Sequence, residues 1–432
     1  MENIKATPYP IYEIYKGLER YFGLFRREES IWSLCRYVVG LLADIARKTC
    51  QGIADAVPGT SSQRLQELLT NTKWSHDSFN RQRVEYMSKR ATYRDGSIIV
   101  DDTGLPKQGK GSCGVARQYS GTLGKVGNCQ VIVSTQYADD KYNWPVNARL
   151  YLPEEWANDP DRRKKCHIPE DVQFMTKTEI ALRLIDEADE AGVPYETVIF
   201  DAGYGGNQKF LDGLEERGKK FVGGIPCDFQ VRIPEEIEEA AKNAPPYKQK
   251  MGRPRKKPYP NQLAPRRRVD DIAKNLPESE WETITWREGS RGLLTKQFAF
   301  MRVHRTTDRR GTGPIGWLIC ERPLTGHEGE WKWYFSNLPE DTSHERLVRL
   351  AHRRHEIERY YQDAKDELGL DHYEGRLWHG LHRHLVLVMW AYSWLALRRK
   401  PRLEYGVAPE VGSKMVSGEQ RVERDFFPLQ AC

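Results

Sequence analysis

Residues 98–114 read IIVDDTGLPKQGKGSCG, and this stretch admits three readings. Gly104 to Lys110 spells G-x-x-x-x-G-K, close to a phosphate-binding loop, and Gly109 to Gly114 spells G-x-G-x-x-G, close to a dinucleotide fingerprint. The apolar run before them, Ile98 to Val100, ends in Asp101-Asp102, as a strand does when it delivers a carboxylate to a metal ion. A phosphate loop needs Ser or Thr straight after its Lys and then a helix N-terminus under the phosphates. Here Gly111 follows Lys110, and SCGVARQYSGTLGKVGNCQ is too rich in glycine for a helix. The dinucleotide fingerprint fails for the same lack of a helix. Both glycine patterns are therefore chance matches in a basic β-hairpin, Gly111 argues against a phosphate-loop NTPase, and the carboxylates carry the chemistry.

Working outward, SIIVDD, NCQVIVSTQYA and NWPVNARLYLP read as three successive strands. A helix over 176–192 follows, then a buried strand, ETVIFDAG, that ends in Asp201. A helix over about 206–217 and the strand KKFVGGIP continue the pattern. Three meandering strands followed by βα units predict a mixed α/β sheet with helices on both faces. In that order the first and fourth strands can lie side by side, so Asp101 and Asp201 can converge. Carboxylates suit magnesium or manganese, and two such ions serve in-line phosphoryl transfer.

A third acid is expected on the helix predicted through HERLVRLAHRRHEIERYYQDAKDELG. Arg354, Glu358 and Lys365 fall within roughly 40° of one another on a helix, with Ile357 and Tyr361 beside them. One acid between two bases is ordinarily a surface ion-pair ladder; with apolar flanks, Glu358 can instead point at a metal while the bases grip phosphates.

The rest of the chain sets the context. Its 432 residues allow two or three domains, and 30% charged with 39% hydrophobic residues indicates a globular protein. The net charge of +6 says less than its distribution. No acid occurs from Thr103 to Ala138, where Lys107, Lys110, Arg117 and Lys125 stand, and none from Ala241 to Arg268. Such stretches can follow a polyanion or form solvated faces. Eight cysteines without a C-x-x-C pair argue against a zinc ribbon and suit a reducing cytoplasm. MENIKATPYP has no apolar leader core, and Leu385 to Leu397 is short for a membrane span. Residues 1–95 read as helical, and GIADAVPGTSSQRLQELL fits either a helix-turn-helix presenting Gln63, Arg64 and Gln66 to DNA or a plain helical hairpin. GRPRKKP (252–258) is an AT-hook-like core or a basic linker, with Arg253, Arg255, Lys256 and Lys257 placed for phosphate contact. His379, His382 and His384 lack one common helical face, so they are expected to cap helices or face DNA rather than bind metal.

Four blocks in order, VDDTGLPKQGKGSCGVARQYSGTLGKVGNCQV, FDAGYGGN, IERYYQDAKDELGLDHYEGR and HRHLVLVMWAYSWLAL, resemble the DDE transposases of bacterial insertion sequences. The match is to the group named after insertion sequence seven-hundred-and-one, within the wider insertion-sequence-four branch. The resemblance covers nearly the whole chain. It implies an RNase H-like mixed sheet flanked by helices and interrupted by a β-rich insertion, behind an all-helical N-terminal DNA-binding region. The corresponding division is 1–95 for the helical region, 96–227 for the first catalytic part, 228–345 for the insertion with its basic linker, 346–400 for the second catalytic part, and 401–432 for a polar tail.

The family's D-x-T favours Asp101 over Asp102; FDAG supplies Asp201, and Y-x2-R-x3-E-x6-K supplies Arg354, Glu358 and Lys365. Asp101, Asp201 and Glu358 are thus the implied catalytic and metal-binding set, for two Mg2+ or Mn2+ ions. The signature tyrosine is Ala351 here, which leaves its phosphate to another group such as Arg353. Trp331 or Trp333 in the insertion can stack a displaced base, or sit in a strand core. The implied activity is cut-and-paste DNA transposition by a homodimer acting on transposon ends and target DNA, in the bacterial cytoplasm and on the nucleoid, without a membrane. A catalytically inactive, domesticated DNA-binding descendant is the alternative, and intact Asp101, Asp201 and Glu358 argue against it.

Overall fold

The computed structural model describes residues 9–120, 124–243, 264–289, 292–307 and 311–399. Five helices come first: α1 (Tyr9–Leu18), α2 (Glu28–Leu42), α3 (Cys50–Ala56), α4 (Ser62–Leu69) and α5 (His76–Ser88). Their starts follow from short polar side chains. Thr49, Ser61 and Ser75 each accept a backbone N–H from the first turn of α3, α4 and α5. Leu65, Leu68 and Leu69 bury one face of α4, leaving Gln63, Arg64 and Gln66 exposed on the other.

Strands β1 (Ser97–Pro106), β2 (Ala116–Ser120), β3 (Lys125–Ala138) and β4 (Asn143–Leu150) form an antiparallel group centred on β3. Gly104 lies within β1 and no helix follows it before β2, so neither glycine pattern cradles a phosphate. Short helices α6 (Glu154–Ala157) and α7 (Pro160–Cys166) lead to α8 (Lys177–Glu190), which starts at a reciprocal Thr176–Glu179 capping box. Then come β5 (Thr197–Phe200), α9 (Ala202–Gly205), α10 (Gln208–Glu216) and β6 (Lys220–Ile225). β5 pairs in parallel with both β1 and β6.

The β-rich stretch supplies β7 (Gln230–Arg232), α11 (Pro234–Lys242), β8 (Arg267–Arg268), α12 (Val269–Asn275), β9 (Glu282–Gly289), β10 (Gly292–Thr306), β11 (Thr312–Arg322) and β12 (Lys332–Ser336). Its strands extend the same sheet, because β12 pairs antiparallel with β6 from Trp333↔Ile225 to Ser336↔Val222. The order is β2-β3-β1-β5-β6-β12-β11-β10-β7-β8, with β4 also on β3 and β9 also on β10. Residues 253–257, with the four basic side chains of the AT-hook-like run, lie outside the described residues.

The helix expected through 344–369 is two helices, α13 (His344–Arg353) and α14 (His355–Asp366), separated at Arg354. The backbone there tightens, with the Ile357 N–H donating to the Arg354 carbonyl three residues back. Arg353 is pulled inward, donating to the Asp95 carbonyl, to Ser97 Oγ at 2.9 Å and to Asp140 at 2.8 Å. It is 6% exposed, so it is not available to replace the signature tyrosine at a phosphate. Arg346 and Arg349 close the same knot on the Asp95 carboxylate at 2.8 and 2.7 Å.

Helix α15 (Trp378–Ala396) is apolar nearly all round and runs through the centre, packing on β4, α2, α4 and α5. It is the longest apolar helix described, and no described helix is long and apolar enough to cross a membrane. Two cores result. One joins the N-terminal helices, α13 to α15 and one sheet face; the other fills the opposite face beneath α8 and α10.

His382 and His384, expected at a helix cap or on a DNA face, are instead buried in α15. His384 Nδ1 lies 2.8 Å from Tyr37 Oη, while its Nε2 faces the Gly369 and Leu370 carbonyls. Burial pushes the imidazole of His384 down to about 4 and that of His382 to about 3. His379 is half-buried, with Nε2 2.8 Å from the Thr70 carbonyl. Because the folded chain holds both buried rings neutral, protons favour the unfolded state. Stability is full above the ordinary histidine value of about 6.5 and falls as pH drops toward about 4, by on the order of 3 kcal/mol for His384. Urea unfolding at stepped pH should show this loss, and His384→Gln should flatten the slope between pH 6.5 and 4.

Candidate active site

Strand alternation sorts the two adjacent acids. Ile99 belongs to the first core and Ile98 and Val100 to the second, so Asp101 and Thr103 face α14 while Asp102 faces α8. On the α14 side, Arg354 Nη1 lies 3.2 Å from Asp101 Oδ2, and Lys365 Nζ lies 2.7 Å from Thr103 Oγ1. Ser134, paired with Asp101 across β1 and β3, meets Tyr361 of α14 hydroxyl to hydroxyl at 2.7 Å. On the α8 side, Asp102 is 3.0 Å from Lys177 Nζ and accepts from Tyr204 Oη at 3.3 Å. Asp102 is a fastening; Asp101 is the acid presented to the site.

Asp201 is held at the end of β5. The parallel register of β1 and β5 runs Ser97↔Thr197 to Ile99↔Ile199, and continued two residues it sets Asp101 beside Asp201. The Asp201 carboxylate caps α9, accepting the Tyr204 N–H at 3.1 Å. β1 does not stop at its acids as the sequence suggests: it stays paired with β3 as far as Pro106, so Asp101 and Asp102 lie mid-strand and only Asp201 stands at a strand end. Tyr204 ties the two strands together, Asp201 through its N–H and Asp102 through its hydroxyl. The short turn behind Asp201 fits only because glycines let α9 lie on β6. A Cβ at Gly205 would stand 1.9 Å from the Gly224 carbonyl oxygen, and one at Gly223 would stand 1.8 Å from the Phe200 ring.

Two carboxylates in one half-buried place repel. Burial, and then the charge of Asp201, push the Asp101 carboxyl up to about 7 against the opposing pull of Arg354. This excess of negative charge, offered by hard oxygen atoms, fits a divalent cation. Glu358, half-exposed, is paired with Nη2 of Arg354, the same guanidinium whose Nη1 meets Asp101. Among the described residues no three His, Cys, Asp or Glu side chains gather closely enough to hold a metal as they stand. The pair Asp101 and Asp201 fits such an ion, and Glu358 is kept from it by the guanidinium between them.

The other candidates are placed as follows. Lys110 is exposed in the connection between β1 and β2 and Arg117 is exposed on β2, whereas Lys107 is built into the wall through the Tyr373 carbonyl. Arg64 is exposed on α4, and Ala351 is buried in the first core. Trp331 and Trp333 pack into the second core, Trp331 edge-on to Trp281 at 5.6 Å, on the sheet face opposite Asp101. Sequence reasoning missed Lys177, Tyr204 and Ser134, and took Tyr361 as an apolar flank without its hydroxyl contact to Ser134. Tyr204 carried a usable signal, standing three residues after an acid at a strand end.

Because burial and Asp201 disfavour its charge, Asp101→Asn should stabilise the metal-free protein by on the order of 1–3 kcal/mol at pH 8. Asp102→Asn should instead cost about 1 kcal/mol, because Lys177 and Tyr204 lose a charged partner. Urea unfolding in a chelating buffer checks both signs; a destabilised Asp101→Asn would contradict the electrostatic account.

Comparison with known proteins gives two matches. A family model described as DDE superfamily endonuclease matches residues 20–293, a span that includes Asp101 and Asp201 and stops before Glu358. A probable transposase for insertion sequence element IS701 from Microchaete diplosiphon is 29% identical over 214 residues, covering 49% of this chain and 53% of that protein. The chain therefore spans about half the length of the curated relative it matches.

Proposed function

The chain belongs to the DDE superfamily of endonucleases, and we propose that it is a transposase cutting DNA at insertion-sequence ends and joining the freed 3′ ends to target DNA. The observation that carries this reading is the convergence of Asp101 on β1 with Asp201 just past β5, with Glu358 of α14 joined to Asp101 through Arg354. Asp101, Asp201 and Glu358 are the proposed catalytic and metal-holding set, for two Mg2+ or Mn2+ ions. Bound there, such ions supply Lewis acidity to an in-line phosphoryl transfer.

The reaction has two balanced steps. A water oxygen bonds to the phosphorus at the element's end as the bond to the 3′ oxygen breaks, leaving a 3′-hydroxyl and a 5′-phosphate. That 3′ oxygen then bonds to a target phosphorus, and the target's own 3′ oxygen leaves with the proton. The chain's side chains position rather than react. Tyr204 and Asp102 hold β1 and β5 in register, and Tyr361 with Ser134 holds α14 against β3. Lys365 sets a cation at Thr103, two residues along β1 from Asp101, and Lys110 before β2 and Arg117 on β2 are offered to the DNA backbone. The exposed face of α4 with Arg64 is the proposed end-recognition surface, assisted by Arg253, Arg255, Lys256 and Lys257. A homodimer pairs the two ends so that they are cut together, on the DNA of a bacterial cytoplasm.

An excision assay tests this. Purified protein and Mg2+ are added to a plasmid carrying the gene with its native flanking DNA. Double-strand release at the element's ends is expected, and Asp101→Ala, Asp201→Ala and Glu358→Gln should each reduce it at least about a thousandfold while the variants still bind the ends in a chelating buffer. Undiminished cutting by any of the three would remove that residue from the set; end binding without cutting by the native protein would defeat the proposal.

A further inference from the structure

Arg354 occupies an unusual position. It sits at the break between α13 and α14, and its two terminal nitrogens are divided between acids on different elements, Nη1 on Asp101 and Nη2 on Glu358. Its fellow arginine, Arg353, is turned the other way and locked into the Asp95 knot. The break therefore fixes the backbone while leaving the Arg354 side chain, 31% exposed, against Asp101 in the middle of β1. With this guanidinium in place, Glu358 is satisfied by a protein cation, and three ligands do not assemble.

On the reading of the site given above, we infer that Arg354 is a built-in counter-ion that stands between the first and third acids in the DNA-free protein. A DNA phosphate draws it away, so that DNA and divalent cations bind cooperatively. The chemistry supports an exchange of partners. A guanidinium forks onto a phosphate as readily as onto a carboxylate. A monovalent cation that leaves Asp101 and Glu358 gives both up to a divalent one, whose attraction to the same oxygens is larger. Without DNA the carboxylates stay neutralised and the ligand set stays open, which restrains metal-dependent cutting away from a bound end. Linkage makes the effect reciprocal: if DNA tightens metal binding, metal tightens DNA binding by the same factor.

The test reads metal binding rather than activity. Mn2+ is titrated into the full-length protein and followed by the loss of free-ion paramagnetic resonance, with and without a duplex from the gene's native flank. The native protein should bind Mn2+ more tightly by roughly tenfold once the duplex is present. Arg354→Gln should bind Mn2+ roughly tenfold more tightly without DNA and gain little from the duplex. Arg354→Lys, which keeps the charge without the fork, should stay weak in Mn2+ and guards against a variant that fails to fold. Equal Mn2+ affinity in Arg354→Gln and native protein, or equal tightening of both by DNA, overturns the inference. Asp201→Asn separates the two levels: it should lose Mn2+ in every background. Native protein and Arg354→Gln that both ignore Mn2+ would bring down the metal reading itself, and this inference with it.

Discussion

The parallel pairing of β1 with β5 is the constraint on which the site depends. Only three residue pairs make it, yet their register brings two carboxylates to one place, Asp101 midway along β1 and Asp201 just past the end of β5. Left to themselves the acids would repel and the strands would splay. The surrounding residues oppose that: Tyr204 bonds to Asp201 and Asp102, Lys177 holds Asp102, and Arg354 sits against Asp101. The glycines at 205 and 223 allow the turn behind Asp201 to lie flat enough for these contacts to form.

A second consequence is the division of labour between the sheet faces. The face toward α8 is fastened by Asp102, Tyr204 and an apolar core; the face toward α14 keeps Asp101, Thr103, Arg354 and Lys365 together. Helix α15 carries the first core to the N-terminal helices, where Arg83 of α5 donates to the carbonyls of Pro145 and Val146 and to Ser393. A buried guanidinium satisfied by neutral acceptors fixes α5, β4 and α15 in one arrangement, as a hydrogen-bonded buried charge must. The β-rich stretch is joined through the β6–β12 ladder, so its strands and the carboxylate strands belong to one hydrogen-bonded sheet.

Some of this was legible in the sequence and some was not, for physical reasons. An apolar run ending in an acid marks Asp201 because a buried strand must be apolar and its end meets solvent; Asp101 carries the same mark for another reason, since β1 runs on to Pro106 and turns its acid toward α14 from mid-strand. The period of a helix places Arg354, Glu358 and Lys365 on one side, and Arg354 and Lys365 meet β1 at Asp101 and Thr103. The break at Arg354 left no local sign, since its neighbour Arg353 is tethered to Asp95, 258 positions away. The choice between Asp101 and Asp102 likewise needed a distant partner, Lys177, to show which way each points. Alternation puts Trp331 and Trp333 on one face of β12 but cannot say which face, and the buried histidines of α15 carry no mark that separates them from exposed ones.

The ion pair between Asp101 and Arg354 has a consequence in the order of synthesis. The two residues are 253 positions apart, and the helix that supports the first 95 residues is made later still. At usual rates of translation the ribosome needs on the order of 10–50 s to pass from one to the other. Until Asp201 is made the nascent chain carries one of the acids, from then until α14 two and no third, and the N-terminal helices lack the surface they pack on. A message cut short between these points yields a protein without α14, and a new molecule completes its carboxylate set only when nearly all of the described chain has left the ribosome.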